Sequence, residues 1–250
     1  MKVVAVHNLK GGVGKTATAV NLAYLAARDG NRVLLWDLDA QGAASYYLKL
    51  SPRKRGGSER LIERKKHLPR AIQATDYDGL DLIPADVSYR NFDLDLSRKE
   101  DAEKRLKKLL RTVADDYDLV FLDCAPSMSL VSENVFNMSD YVLVPLIPTP
   151  LSVRAYEQLR QFHRQETNGK AELMPFFSMV DRRKRLHREL IVEFAATYPD
   201  VVRRYIPYAS SIERMGEHRA PVNAFDDRSP GGRAFSALWD TLKEHFLANA

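Results

Sequence analysis

The sequence predicts an α/β fold: a doubly wound, mostly parallel β-sheet flanked by helices on both faces. Three observations predict it. Short apolar runs alternate with helical patterns along the 250 residues, the order that builds a parallel sheet through crossover helices. The first run, Val3 to Val6, passes straight into a glycine-rich turn and then a helical pattern. Aspartates stand at the ends of two later runs, Asp37 and Asp123, at the edge where open sheets of this kind bind ligands.

Each element follows from local pattern. Val3–His7 is expected as the first strand, and Lys15–Asp29 as a helix stopped by Gly30, since glycine accepts the left-handed backbone that ends a helix. Arg32–Asp37 and Leu80–Pro84 are the next apolar strands, followed by a charged helix near Arg98–Ala114. Asp118–Asp123 and Tyr141–Leu146 are buried strands, the latter ending in a loop punctuated by Pro145, Pro148 and Pro150. Ser152–Glu166 reads as a helix with a polar cap, Leu173–Val180 as a strand, Leu186–Tyr198 as a helix and Val201–Ile206 as the last strand. Gly232–Leu247 closes the chain as a helix, with Phe235, Leu238, Trp239, Leu242 and Phe246 along one stripe. No internal repeat and no dividing linker is evident, so residues 1–250 are expected as one domain. Within it, residues 51–73 form an irregular basic insertion, because Pro52, Gly56 and Gly57 break any helix and the charges discourage burial.

Composition narrows the function classes. No secretory leader and no apolar run near the roughly 18 residues needed to span a bilayer is present. Cys124 is the only cysteine, so no disulfide framework or cysteine cluster forms within one chain. A reducing cytoplasm fits these features, and Cys124 reads as a small buried residue at a strand end. The net charge is +5 and unevenly placed. Lys49, Arg53, Lys54, Arg55, Arg60, Arg64, Lys65, Lys66 and Arg70 face only Glu59 and Glu63, and a second cluster runs Arg182-Arg183-Lys184-Arg185 beside Asp181. Such clusters mark either a polyanion-binding face or simply solvated surface.

The chemistry starts at Lys10-Gly11-Gly12-Val13-Gly14-Lys15-Thr16. Glycines let consecutive backbone N–H groups curl around an anion at a helix N-terminus. Lys15 supplies a point charge for outer phosphates, and the Thr16 hydroxyl is placed to ligate Mg²⁺. ATP binding is the expected function of this loop. Asp123, ending an apolar strand, is expected to hold Mg²⁺ through water, with helix capping as the alternative. Asp37 and Asp39 alternate along extended chain, so both can face the strand tips; a cap role for Asp39 also stays open.

A plain phosphate loop needs no lysine at position 10. With that lysine and the segment Asp37-Leu38-Asp39-Ala40-Gln41-Gly42, the chain resembles the ParA/MinD family of partition and positioning ATPases, which carry a deviant Walker-A loop on a P-loop NTPase fold. The likeness runs along nearly the whole chain. Asp123-Cys124-Ala125-Pro126-Ser127 looks like the family's Walker-B segment, with Ala125 where proline is commoner. The resemblance implies that Lys10 reaches across a dimer interface to the partner's nucleotide, that Asp39 orients the attacking water, and that Asp37 belongs to the Mg²⁺ environment. It implies Asp181, Pro207 and Tyr208 as adenine neighbours, and Arg183 and Arg185, then Arg182 and Lys184, as DNA contacts. Ala17 stands where a second hydroxyl is frequent, so one α-phosphate contact falls to backbone. Tyr208-Ala209-Ser210-Ser211 replaces a segment that usually carries arginine.

The implied function is an ATP- and Mg²⁺-dependent dimerisation switch. Its ATP dimer would coat nucleoid DNA non-specifically, a ParB-type adaptor would stimulate hydrolysis, and a cargo would thereby be positioned. Starting at the first strand, the chain is expected to be a short-form member without an appended helix-turn-helix domain. The rivals are a membrane-surface ATPase of the MinD kind and a regulatory ATPase that does not touch DNA. Stable membrane association is not expected, because the tail after Lys243 carries no lysine or arginine. An iron–sulfur carrier on the same scaffold would need more cysteines than one.

Overall fold

The computed structural model describes residues 1–52, 57–63, 67–167 and 169–247. Eight strands form one sheet: β1 (Lys2–Val6), β2 (Val33–Asp37), β3 (Gln73–Ala74), β4 (Leu80–Ile83), β5 (Leu119–Asp123), β6 (Tyr141–Leu146), β7 (Glu172–Val180) and β8 (Tyr205–Pro207). Their order is β3-β4-β2-β5-β1-β6-β7-β8. All neighbours run parallel except β3 against β4. The doubly wound, mostly parallel sheet expected from the sequence is the observed one.

Alternation along each strand divides the core between the two faces. Val3 and Ala5 of β1, with Trp36, Val120 and Leu122, belong to one apolar cluster. Val4 and Val6, with Leu35, Phe121 and Leu143, belong to the other. Helices Lys15–Arg28 and Pro230–Leu247 cover the second face. Helices Leu130–Met138, Pro150–Glu166 and Arg185–Thr197 cover the first. Strands buried on both sides must be apolar at every position, and β2 and β5 are buried throughout.

Register places the chemistry. Val6 pairs with Asp123, and Asp37 lies directly opposite Asp123. The C-terminal tips of β1, β2 and β5 therefore end together. The glycine-rich loop leaves β1 between β5 and β6 at that edge.

Three expectations change. The Arg98–Ala114 stretch is not one helix but a 3₁₀ turn at Ala102–Lys104, a helix at Arg105–Leu110 and a second 3₁₀ turn at Arg111–Val113. Leu106, Leu109, Leu110 and Val113 still reach the core from these pieces. The last strand is Tyr205–Pro207 rather than Val201–Ile206. Val201 and Val202 are buried in the preceding turn, where the Val202 N–H donates to the Pro175 carbonyl at 2.8 Å. In the segment 51–73, short helices Ser58–Glu63 and Leu68–Ala71 bury Leu61, Ile62 and Leu68, so its apolar residues outweigh its charges. Arg53, Lys54, Arg55, Arg64, Lys65 and Lys66 lie outside the described residues.

Candidate phosphate-binding site

The glycine-rich loop arches from β1 to the Lys15–Arg28 helix, whose N-cap is Gly14. Gly14 has φ +91°, and a Cβ there would lie 2.9 Å from the Ser178 hydroxyl oxygen. Glycine is required at this position on both counts. The Asn8 side chain fixes the loop entrance: its Oδ1 accepts the Lys10 N–H at 2.9 Å, and its Nδ2 donates to the Pro145 carbonyl at 2.7 Å. Lys15 is buried, and its Nζ donates to the Lys10 carbonyl at 2.9 Å. Burial pulls its ammonium below the ordinary pKa, an effect that the nearby Asp123 and Asp39 offset in part. The cation is thus held inward, at the mouth of the loop. Val13 is fully buried and contributes packing, whereas Gly11, Gly12, Gly14, Thr16 and Ala17 face a cleft of about 350 Å³.

Asp37 and Asp123 face each other in the sheet but differ in their bonding. Asp37 is buried, and its Oδ2 accepts the Ser45 N–H at 2.8 Å and the Ser45 hydroxyl at 2.7 Å. Its Oδ1 accepts the Asp39 N–H at 3.3 Å. Burial raises its pKa to about 6 despite those donors. The oxygens expected to serve Mg²⁺ are already engaged by protein. Asp123 is fully buried, and neither oxygen has a hydrogen bond of normal geometry. Burial first, then the charge of Asp37, raises its pKa well above the carboxylate range, and Thr16 and Lys15 counter only part of this. Buried unpartnered carboxylates are costly. One facing a loop threonine and a lysine has the oxygen chemistry that Mg²⁺ takes.

Asp39 lies at the cleft wall, its Oδ1 accepting the Gln41 N–H at 3.0 Å. His7, at the end of β1, was not anticipated. Its pKa falls to about 3 through burial and the Lys15 charge, so the ring is neutral. Farther along, Ile206, Pro207, Tyr208, Ala209, Ile212 and Phe235 form an apolar end of the cleft. Pro207 and Tyr208 thus stand where a base would lie. Asp181 does not line the cleft; Arg183 grips it at 2.9 and 3.0 Å and holds its pKa down at about 2. Ser178 and Tyr47 line the cleft and were missed. Ser178 ends a strand at the same edge, a signal the sequence did carry.

The four basic residues 182–185 are all exposed. Arg183 is paired with Asp181, and Arg185 with Glu189 at 2.5 Å. Among the described residues the side chains of Arg182 and Lys184 have no such partner.

Fold and cleft together define a P-loop nucleotide-binding protein. The family model described as "AAA domain" matches residues 1–173. The chain is 30% identical over 243 residues to the chromosome-partitioning ATPase Soj of Treponema pallidum (strain Nichols), spanning 95% of each. It is 31% identical over 246 residues to the sporulation initiation inhibitor protein Soj of Bacillus subtilis (strain 168), spanning 95% of this chain and 96% of that one. Among solved structures, cobyrinic acid a,c-diamide synthase from Mycobacterium smegmatis, with bound ATP analog and magnesium, is similar at a TM-score of 0.85 and 27% identity, over 100% of this chain and 97% of that one. This chain belongs to the ParA/MinD family of ATPases.

Proposed function

We propose that the chain is a ParA-like positioning ATPase in which nucleotide state sets association state. The observation that carries this is the different disposition of the two loop lysines. Lys15 turns inward onto the Lys10 carbonyl, whereas the Lys10 ammonium has no hydrogen bond or ion pair among the described residues. A free cation beside a phosphate cleft is available to a nucleotide held by a second copy.

ATP with Mg²⁺ is the ligand this reading assigns. Thr16 and Asp123 would hold the metal, which neutralises phosphate charge when bound. Among the described residues no group of three or more acidic, histidine or cysteine side chains forms a cage. Mg²⁺ sites built on one or two protein oxygens plus phosphates and waters have that economy of ligands. Lys15 would exchange the Lys10 carbonyl for outer phosphate oxygens. Asp39 keeps its Oδ1 on Gln41, leaving Oδ2 to accept a proton-bearing bond from the attacking water. Pro207 and Tyr208 would flank adenine. Lys10 would enter the partner's triphosphate site, so that hydrolysis removes the contact that held the pair together.

Pairing doubles any basic face. Arg182, Arg183, Lys184 and Arg185 are the DNA contacts assigned here, and counterion release makes such binding steep in salt and blind to sequence. A ParB-like adaptor would trigger hydrolysis and release, leaving the protein cytoplasmic and, with ATP, on the nucleoid. The membrane-surface alternative finds no support in the last helix. Its stripe, Phe235 to Phe246, is buried against the sheet rather than available to lipid.

The test is Lys10→Ala, measured by light scattering with ATP, with ADP and without nucleotide, beside gel shifts on random-sequence DNA. Wild type should pair only with ATP and shift DNA only then, and the variant should bind ATP but stay single. ATP-driven pairing by the variant refutes the mechanism. Pairing by wild type without a DNA shift favours the regulatory ATPase instead.

A further inference from the structure

Ser45 is a buried serine with no part in the loop chemistry just described. Its hydroxyl joins three separate pieces of chain at the strand tips. It donates to Asp37 Oδ2 at 2.7 Å, at the end of β2, and accepts the Ala85 N–H at 2.8 Å, just past β4. Its own backbone N–H donates to the same Asp37 oxygen at 2.8 Å. Asp37 Oδ1 in turn receives the Asp39 N–H at 3.3 Å. The turn between is closed by Gly42 N–H on the Asp39 carbonyl at 2.8 Å and Gln41 N–H on Asp39 Oδ1 at 3.0 Å. The backbone and one carboxylate oxygen of Asp39 are thereby fixed from outside the nucleotide cleft.

From this we infer that Ser45, acting through Asp37, is a positioning residue for ATP hydrolysis. The pair holds the Asp39 turn in place and does not bind nucleotide or metal. The inference rests on the reading of Asp39 as the group that orients water. A side chain holding an attacking water must be right to within a fraction of an ångström. The anchor is built for that purpose: a hydroxyl that both donates and accepts, fully enclosed, between two sheet strands and a helix. Serine or threonine can do both. Alanine leaves the Ala85 N–H and one Asp37 lone pair without a partner.

The experiment compares wild type, Ser45→Ala and Ser45→Thr in steady-state ATP turnover with Mg²⁺, with ADP affinity and thermal melting measured alongside. A second arm follows backbone amide exchange in the nucleotide-free protein. In Ser45→Ala, kcat should fall by about tenfold or more while KM for ATP and the ADP affinity stay within about twofold. Ser45→Thr should recover kcat to within about threefold of wild type. Exchange at Ala85 and Gln41 should quicken in the alanine variant, with Thr18 in the phosphate-loop helix unchanged. Parallel loss of kcat and nucleotide affinity, threonine no better than alanine, or unaltered exchange at Ala85 would each overturn the inference. If wild type binds ATP but does not turn it over, the proposed function fails, and the exchange arm still decides whether Ser45 anchors the turn.

Discussion

Asp123→Asn should stabilise the nucleotide-free protein while removing its response to Mg²⁺ and ATP. In wild type the Asp123 carboxylate is fully buried, without a hydrogen bond of normal geometry, and opposite the buried Asp37. An unsatisfied buried polar group costs about 1–3 kcal/mol, and a charged one more. For a chain of this size each kcal/mol moves Tm by roughly 2–4 °C, so the neutral isostere should melt about 2–10 °C higher at pH 7–8. The pH dependence has a definite sign. The folded-state pKa is raised above the ordinary value of 3.8, chiefly by burial. The folded protein then binds this proton more tightly than the unfolded chain does, and wild-type stability falls as pH rises from near 4 through the folded pKa. Asp37, raised to about 6, adds to the same fall between about pH 4 and 6. Below pH 4 both carboxylates are protonated in either state, and the variant should lose its advantage. Ligand reverses the order: saturation at about 100 times Kd adds roughly 2.7 kcal/mol to wild type, and little to the variant. Differential scanning fluorimetry across pH 4–8, with and without Mg²⁺ and ATP, reads all of this. A variant that melts at or below wild type at pH 7–8 without ligand would show that Asp123 is satisfied in the free protein and that the orphaned-carboxylate argument is wrong.

Three further outcomes follow from other contacts. Gly14→Ala should abolish ATP binding by calorimetry, and adding Ser178→Ala should not restore it, because relieving the 2.9 Å approach leaves φ at +91°. Arg219 has φ +49°, stacks on Tyr46 at 4.6 Å and donates to the Tyr46 carbonyl at 3.0 Å. Arg219→Ala should cost about 1–2 kcal/mol by losing both contacts, and Arg219→Gly about 1 kcal/mol less by relieving the left-handed backbone, a gap that urea denaturation can read. On DNA, Arg182→Ala with Lys184→Ala should lower the slope of log K against log salt by about 2, while Arg183→Ala with Arg185→Ala lowers it less, because those two are already paired with Asp181 and Glu189.

The parts legible in sequence are those whose cause is local. A strand buried on both faces has to be continuously apolar, so β1, β2, β5 and β6 announce themselves, and the loop from Lys10 to Thr16 carries its conformation in its glycines. The parts that were not legible have distant causes. Val201 and Val202 look like strand residues, but what decides their place is the Pro175 carbonyl on β7, and no pairing in sequence shows that. In the stretch after Arg98, Lys108 and Arg105 bind Asp101 at 2.8 and 3.5 Å, stitching a turn where a longer helix was expected. Helix Leu130–Met138 was not anticipated at all, since only packing of Val135 and Phe136 on the sheet stabilises nine residues of mixed polarity. The apolar end of the cleft joins residues 206–213 to Phe235 and Tyr47, which no spacing rule connects.

The contrast between Asp37 and Asp123 could not have come from sequence either, and it separates two roles that the motif treats alike. Both aspartates end an apolar strand, and both are buried. A carboxylate already receiving three protein N–H and O–H bonds gains little from a cation and is expensive to disturb. One with none is a standing cost that only a ligand can remove. Five residues of helix, Ala43–Tyr47, make the difference, by bringing Ser45 to one aspartate and not to its neighbour across the sheet. The unfavourable state of Asp123 without ligand then becomes affinity when a metal–nucleotide complex arrives, because binding energy includes the relief of that cost. Stability surrendered at Asp123 and rigidity secured at Asp37 are therefore two halves of one arrangement, the first serving occupancy and the second geometry.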